Sequence, residues 1–192
     1  MNILIKNAKV LVFEDEKMVV KKADIAVEGE KISQIGKVKT DIDAQKVIDA
    51  KDMLAMPGLI NAHTHLSMNL FRNYADDMPL WDWLTKKIWP IEERLTAEAV
   101  YRGSILGIAE LIKSGVTGFL DMYFFADQTI EAALKTGVRA YIARGLTDEE
   151  EGKEERLRET RELYKKYHQT DGRIKIFVGP HAPYTCSPQY LQ

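Results

Sequence analysis

Cysteine is almost missing from this 192-residue chain: Cys186 stands alone, which excludes an internal disulfide framework and fits a reducing cytoplasm. Net charge is nearly missing too. At −2 there is no field of one sign to draw in nucleic acid or an anionic membrane. No apolar run approaches the roughly 20 residues of a membrane span. Lys6 and Lys9 interrupt the first apolar residues before a signal-peptide core can form. Histidine is scarce as well. His63, His65 and His181 lie beside apolar strand-like runs, whereas His168 sits in a charged helical stretch and reads as a solvated surface residue. What remains is an ordinary globular composition, 45% hydrophobic and 29% charged, in a length that holds one domain or one domain and part of another.

Residues 1–53 have little helical periodicity. Ile3, Ile5 and then Val10-Leu11-Val12-Phe13 form a first pair of apolar segments. Asp24 to Gly36 predicts a hairpin turning at Glu28-Gly29-Glu30, and Val47 to Ala50 one more short strand. This is a small β-module, part of a sandwich, too thin to bury a core alone. After Pro57-Gly58 strands alternate with helices, which predicts βα units on a parallel sheet. The expected strands are 54–62, 116–122, 138–145 and 174–181. The expected helices are 96–114 capped by Thr96, 127–136 closed by Gly137, and a highly charged one near 153–168. A long insertion from Leu66 to about Pro90 carries Trp81, Trp83 and Trp89.

Each of the four later strands ends in a residue able to do chemistry: His63 and His65, Asp121, Arg144, His181. Such groups at the carboxyl ends of consecutive parallel strands are the layout of a TIM-barrel active face. The reading is therefore α/β: the first four βα units of a (β/α)8 TIM-type barrel at 54–192, preceded by the β-sandwich module at 1–53. An open four-stranded α/β sheet is the alternative. A half barrel is expected to expose apolar strand edges, and to aggregate or pair unless the other half is supplied.

His63 and His65 alternate with Thr64, so on a strand they point to the same side. Two neutral imidazoles converging there suit a transition metal such as zinc, which lowers the pKa of water for hydrolysis. A catalytic zinc takes three protein ligands. His181 is a candidate third, though a substrate contact is the preferred reading for it. The fourth strand ends in Gly179-Pro180-His181, with Lys175 at its wrong end for bridging two metals, so one ion is expected. Arg144, and Arg156 after the acidic loop Asp148 to Glu151, suggest an anionic substrate tail. The bland alternative for Arg156 is an ion pair with Glu155 or Glu159. Glu92 could accept two hydrogen bonds from a diol, or be an exposed helix-start acid beside Glu93. Of the tryptophans, Trp83 is placed nearest the pocket.

Pro57-Gly58-Leu59-Ile60-Asn61-Ala62-His63-Thr64-His65 resembles the strand-one signature of the amidohydrolase superfamily. Leu70 to Asp77 and Leu80-Trp81-Asp82-Trp83-Leu84 resemble its aminohydrolase and chlorohydrolase branch. Pro90-Ile91-Glu92, Ala143-Arg144-Gly145-Leu146 and Gly179-Pro180-His181-Ala182-Pro183-Tyr184 are similar to the 5′-methylthioadenosine/S-adenosylhomocysteine deaminases, and the likeness covers the whole chain. It implies a barrel with a sandwich made from both chain termini. It implies one zinc per subunit on His63 and His65, with a His and an Asp from later strands. Glu92 would hold the ribose hydroxyls, His181 the nucleoside, and Arg144 and Arg156 the amino-acid carboxylate. The reaction would be hydrolysis at C6 of the adenine ring with loss of ammonia. The proton-shuttling Glu would lie past residue 192, which leaves no catalytic residue here beyond the metal ligands and the fragment alone inactive. The implied partners are a small-molecule nucleoside, the other half of the barrel, and in a homo-oligomer further copies. The alternatives are an amidohydrolase acting on guanine, a pterin or an s-triazine, and a non-catalytic module in which both histidines are structural.

Overall fold

The computed structural model of the chain describes residues 1–38, 43–149 and 152–192. Glu150 and Glu151 of the acidic loop lie outside the described residues. Two compact units are present, Met1–Pro57 and Gly58–Gln192.

The first unit is a single sheet of β1 (Ile3–Glu14), β2 (Lys17–Glu28), β3 (Lys31–Gly36), β4 (Lys46–Asp49) and β5 (Leu54–Ala55). Its order is β3-β2-β1-β4, with β5 also on β1. Strands β1 and β2 form an antiparallel hairpin closed by Asp15 and Glu16, both at positive φ (47° and 63°), the sense a two-residue loop needs to match strand twist. The two apolar segments expected at 3–13 are one strand, bent by a bulge between Ile5 and Ala8. There the Asn7 backbone N–H donates to Asp24 Oδ1 at 2.8 Å, so the extra residue keeps a partner. The hairpin expected at Glu28-Gly29-Glu30 joins β2 to β3. Ala8, Val10, Ile25 and Ala50 make a small core.

The strand expected over 54–62 is two. Leu54–Ala55 runs parallel to Lys9–Val10 in the first sheet, and a new strand starts at Leu59. Pro57 between them has no N–H to offer a ladder, so the chain changes sheets there.

The second unit begins with β6 (Leu59–Thr64), a 3₁₀ turn (Leu66–Phe71), α1 (Leu80–Trp83), a π-helical turn (Leu84–Ile88) and α2 (Trp89–Glu92). Then come α3 (Ala97–Lys113), β7 (Val116–Met122), α4 (Ala126–Thr136), β8 (Arg139–Leu146), α5 (Lys153–Tyr167) and β9 (Ile174–Pro180). The sheet order is β6-β7-β8-β9, all parallel. Each strand lies beside its predecessor in the chain, the winding of the first half of a (β/α)8 barrel.

Local sequence explains these elements. Thr96 caps α3 by accepting the Ala99 N–H at 3.2 Å. Val100, Gly103, Ser104, Gly107 and Ile108 then form its buried stripe at helical spacing. Gly137 closes α4 in the left-handed conformation. Phe119, Ile108, Ile130, Ile142 and Ile174 are fully buried between sheet and helices, each contributing about 2 kcal/mol by removal from water. His168 is not a solvated surface residue: it is half-buried, its Nδ1 accepts the Ile176 N–H at 3.2 Å, and its ring stacks on Tyr164. The outermost strands β6 and β9 leave Ile60 and Val178 about two-thirds exposed, at 66% and 69%. That fits the expected open strand edges.

Candidate active site

The carboxyl end of β6 carries both exposed imidazoles, His63 and His65, with ring centroids 5.4 Å apart and planes at 76°. His65 Nδ1–H donates to the Met122 carbonyl at 2.7 Å. A carbonyl can only accept, so the proton belongs on Nδ1 and the Nε2 lone pair is left for a metal. Two imidazoles this close are candidate ligands for a single metal ion. Among the described residues no cluster of three or more His, Cys, Asp or Glu could complete the set.

Asp121, expected among the strand-end groups, faces the helices rather than the open end. It pairs with Thr64 in register and is fully buried. Its Oδ1 accepts the Leu66 N–H at 2.6 Å, while Oδ2 has no partner among the described residues. Burial pushes its carboxyl up to about 7, against the opposing Leu66 hydrogen bond. Its visible work is to hold the backbone just after His65.

A groove of about 760 Å³ opens between the end of the insertion, the β7–α4 connection and α5. Trp89, Phe124 and Phe125 form its aromatic wall, and Glu92, Arg144 and Arg156 also line it. Phe125 has a left-handed backbone (φ 49°), a conformation that costs a bulky residue about 1 kcal/mol. Glu92 Oε1 accepts the Tyr123 hydroxyl at 2.7 Å. Burial and then the Glu92 carboxylate, with Asp121 behind it, push the Tyr123 phenol far above its ordinary range, so it stays a donor.

The arginines differ from expectation in their partners. Arg144 Nε donates to Glu159 Oε2 at 2.8 Å, and its guanidinium lies 5.2 Å from the Phe124 ring centroid. Arg156 pairs with neither Glu155 nor Glu159. It donates to the Thr147 and Glu149 carbonyls at 3.3 and 3.4 Å, and its buried Nε has no partner among the described residues.

Thus the groove brings together Glu92, Arg144 and Arg156, three of the five substrate contacts read from sequence. Trp83 is not on it: its indole N–H is held by the Ala75 carbonyl at 3.2 Å inside the insertion, and Trp89 takes the wall position. His181 lies beyond the groove lining, where its Nδ1 meets Thr185 Oγ1 at 3.0 Å and its ring meets Tyr184 edge-on. Sequence reasoning missed Tyr123, Phe124 and Phe125. The aromatic run following a strand-end Asp was the available signal.

The chain belongs to the amidohydrolase family, whose model matches residues 54–192. It is 53% identical over 195 residues to a 5-methylthioadenosine/S-adenosylhomocysteine deaminase of Caldanaerobacter subterraneus subsp. tengcongensis, covering 100% of this chain and 45% of that protein. It is 49% identical over 193 residues to a 5′-deoxyadenosine deaminase of Methanosarcina mazei, covering 99% of this chain and 44% of that protein. Among solved structures, an adenosine deaminase of Xanthomonas campestris with bound zinc superposes with a TM-score of 0.85 at 31% identity, over 98% of this chain and 44% of that one. The chain therefore spans about 45% of the length of the curated relatives it matches.

Proposed function

We propose that the protein containing this chain hydrolyses the exocyclic amine of the adenine ring in S-adenosylhomocysteine or 5′-methylthioadenosine, releasing ammonia and the inosyl product. The observation that carries the reading is the groove in which Glu92, Arg144 and Arg156 meet, joined through Tyr123 to the end of the sheet that bears His63 and His65. His63 and His65 would hold one zinc ion, with the remaining ligands supplied by later strands. When bound, zinc supplies Lewis acidity that makes water nucleophilic near neutral pH. Met122 keeps His65 in the tautomer that can ligate. Glu92 has two oxygens, and Tyr123 occupies only part of one, so the ribose 2′- and 3′-hydroxyls can donate to the rest. Arg144 and Arg156 take the amino-acid carboxylate, Trp89 offers the aromatic wall that the sequence assigns to Trp83, and His181 contacts the nucleoside once the site is complete. The reaction belongs in the cytoplasm, where a lone buried thiol stays reduced.

One observation favours a second reading, an uncharged 5′ substituent as in 5′-methylthioadenosine or 5′-deoxyadenosine. The Arg144 cation already has a carboxylate partner in Glu159. The same experiment decides both. Full-length protein should release ammonia from an adenine nucleoside. Failure with zinc bound and the fold intact refutes the deaminase reading. Arg144→Ala should cost S-adenosylhomocysteine about 10-fold or more in kcat/KM, the worth of a hydrogen bond to a charged group, and spare 5′-methylthioadenosine. Equal losses on both substrates refute the anionic-tail role and leave the second reading.

A further inference from the structure

We infer that Tyr123 is a positioning residue for substrate binding: it holds the Glu92 carboxylate ready for the ribose diol. The inference rests on the reading of Glu92 as the diol acceptor. Its basis is a convergence at the end of β7, where three consecutive residues each fix a different part of the site. Asp121 Oδ1 accepts the Leu66 N–H behind His65. The Met122 carbonyl accepts Nδ1–H of His65. Tyr123 donates its hydroxyl to Glu92 Oε1 at 2.7 Å.

Glu92 needs such an anchor. It is the last residue of the continuous helical run from Leu80 to Glu92, and Glu93 caps that end. A glutamate side chain at a helix end has free torsions, and ordering them at the moment of binding weakens affinity. Tyr123 orders them beforehand. Its own ring cannot wander, being 6% exposed and packed edge-on against Phe124 with centroids 5.1 Å apart. The ring also lies 6.1 Å from His65, so one side chain sets the separation between the diol acceptor and the metal-binding end of the sheet.

The test is kinetic, in the full-length zinc-loaded enzyme, with ammonia release measured for 5′-methylthioadenosine and its 2′,3′-dideoxy analogue. Tyr123→Phe keeps the ring and removes only the donor. It should raise KM for the diol substrate about 10-fold, the worth of one charge-assisted hydrogen bond, with kcat little changed and the dideoxy analogue nearly unaffected. Glu92→Gln and the double variant should show that the two losses do not add. Equal loss on both substrates, or loss on neither, overturns the inference. A wild-type enzyme that does not distinguish diol from dideoxy refutes the Glu92 reading itself, which is a separate result and removes the inference with it. Should Tyr123→Phe lose zinc or its fold, tyrosine labelled with 13C at Cζ supplies the check. Glu92→Gln should then move one tyrosine resonance, and an unmoved set overturns the contact.

Discussion

Gly107 offers a perturbation whose sign must be decided by weighing two opposed effects. It sits in the middle of α3, where replacing Gly by Ala ordinarily stabilises a helix by about 1 kcal/mol. A Cβ at Gly107 would lie 2.6 Å from Leu66 Cδ1, 2.8 Å from its Cγ and 3.0 Å from Asn69 Nδ2. Leu66 cannot swing clear. Its side chain is 5% exposed within the main core, and its N–H is tied to the buried Asp121. Overpacking of this kind costs about 1–3 kcal/mol, and the 2.6 Å approach argues for the upper part of that range. The net expectation for Gly107→Ala is a loss of about 1–2 kcal/mol, seen as a fall in melting temperature of about 2–8 °C. Because Leu66 follows His65 directly, zinc affinity should fall with it. Circular-dichroism melts and a zinc titration read both. A variant as stable as wild type, or more so, would show that the helix term wins and that the 3₁₀ turn yields freely.

Two further expectations concern stability. Ser104 and Thr129 share a fully buried hydroxyl pair at 3.0 Å between α3 and α4. Ser104→Ala or Thr129→Val alone should cost about 1–3 kcal/mol by stranding the other hydroxyl, and the double variant should recover part of it, as a denaturant-melt cycle would reveal. Asp148 is held below the ordinary carboxylate value by hydrogen bonds from Lys153 and then Ser187. A depressed folded pKa gives stability that is present above the unfolded value, near 3.8, and lost as pH falls through the folded value. The protection factor of the Ser187 amide, whose N–H also donates to Asp148, should therefore fall on acidification once the intrinsic pH dependence of exchange is divided out. Asp148→Asn should remove that pH step, and an unchanged step would assign it elsewhere.

Much of the second unit was legible because periodicity and punctuation agreed. Val116–Met122 matches the predicted strand at both ends, and Thr96 and Gly137 mark the helix boundaries they were read as marking. The first unit was harder to read. Asp15-Glu16 turns the β1–β2 hairpin at positive φ without the Asn-Gly or Asp-Gly chemistry that announces such a turn. The bulge at Asn7 hid one strand behind what looked like two, because an extra residue shifts alternation to the other face. The apolar run at 54–62 spans two sheets, and periodicity alone cannot see a strand change partners at Pro57.

The site was legible to the degree that its side chains carry their own chemistry. His63 and His65 share a strand end, and Glu92, Arg144 and Arg156 share a groove, although these last three come from three separate segments. What sequence could not announce is the part performed by backbone and by turn geometry. The acceptor that sets the His65 tautomer is the carbonyl of Met122, a group every residue type possesses. Trp83 and Trp89 lie six positions apart, and the π-helical turn between them adds an offset to the helical phase. Asp121 was read as a strand-end group open to chemistry, yet its register with Thr64 turns it to the helix side. A one-residue change of face decides whether a carboxylate meets substrate or holds a backbone N–H. Asp121 secures the chain behind His65 with its side chain, Met122 holds the imidazole with its carbonyl, and Tyr123, just past the end of β7, holds Glu92. The geometry of the site is therefore set from the neighbouring strand as much as from the His-Thr-His strand that marks it.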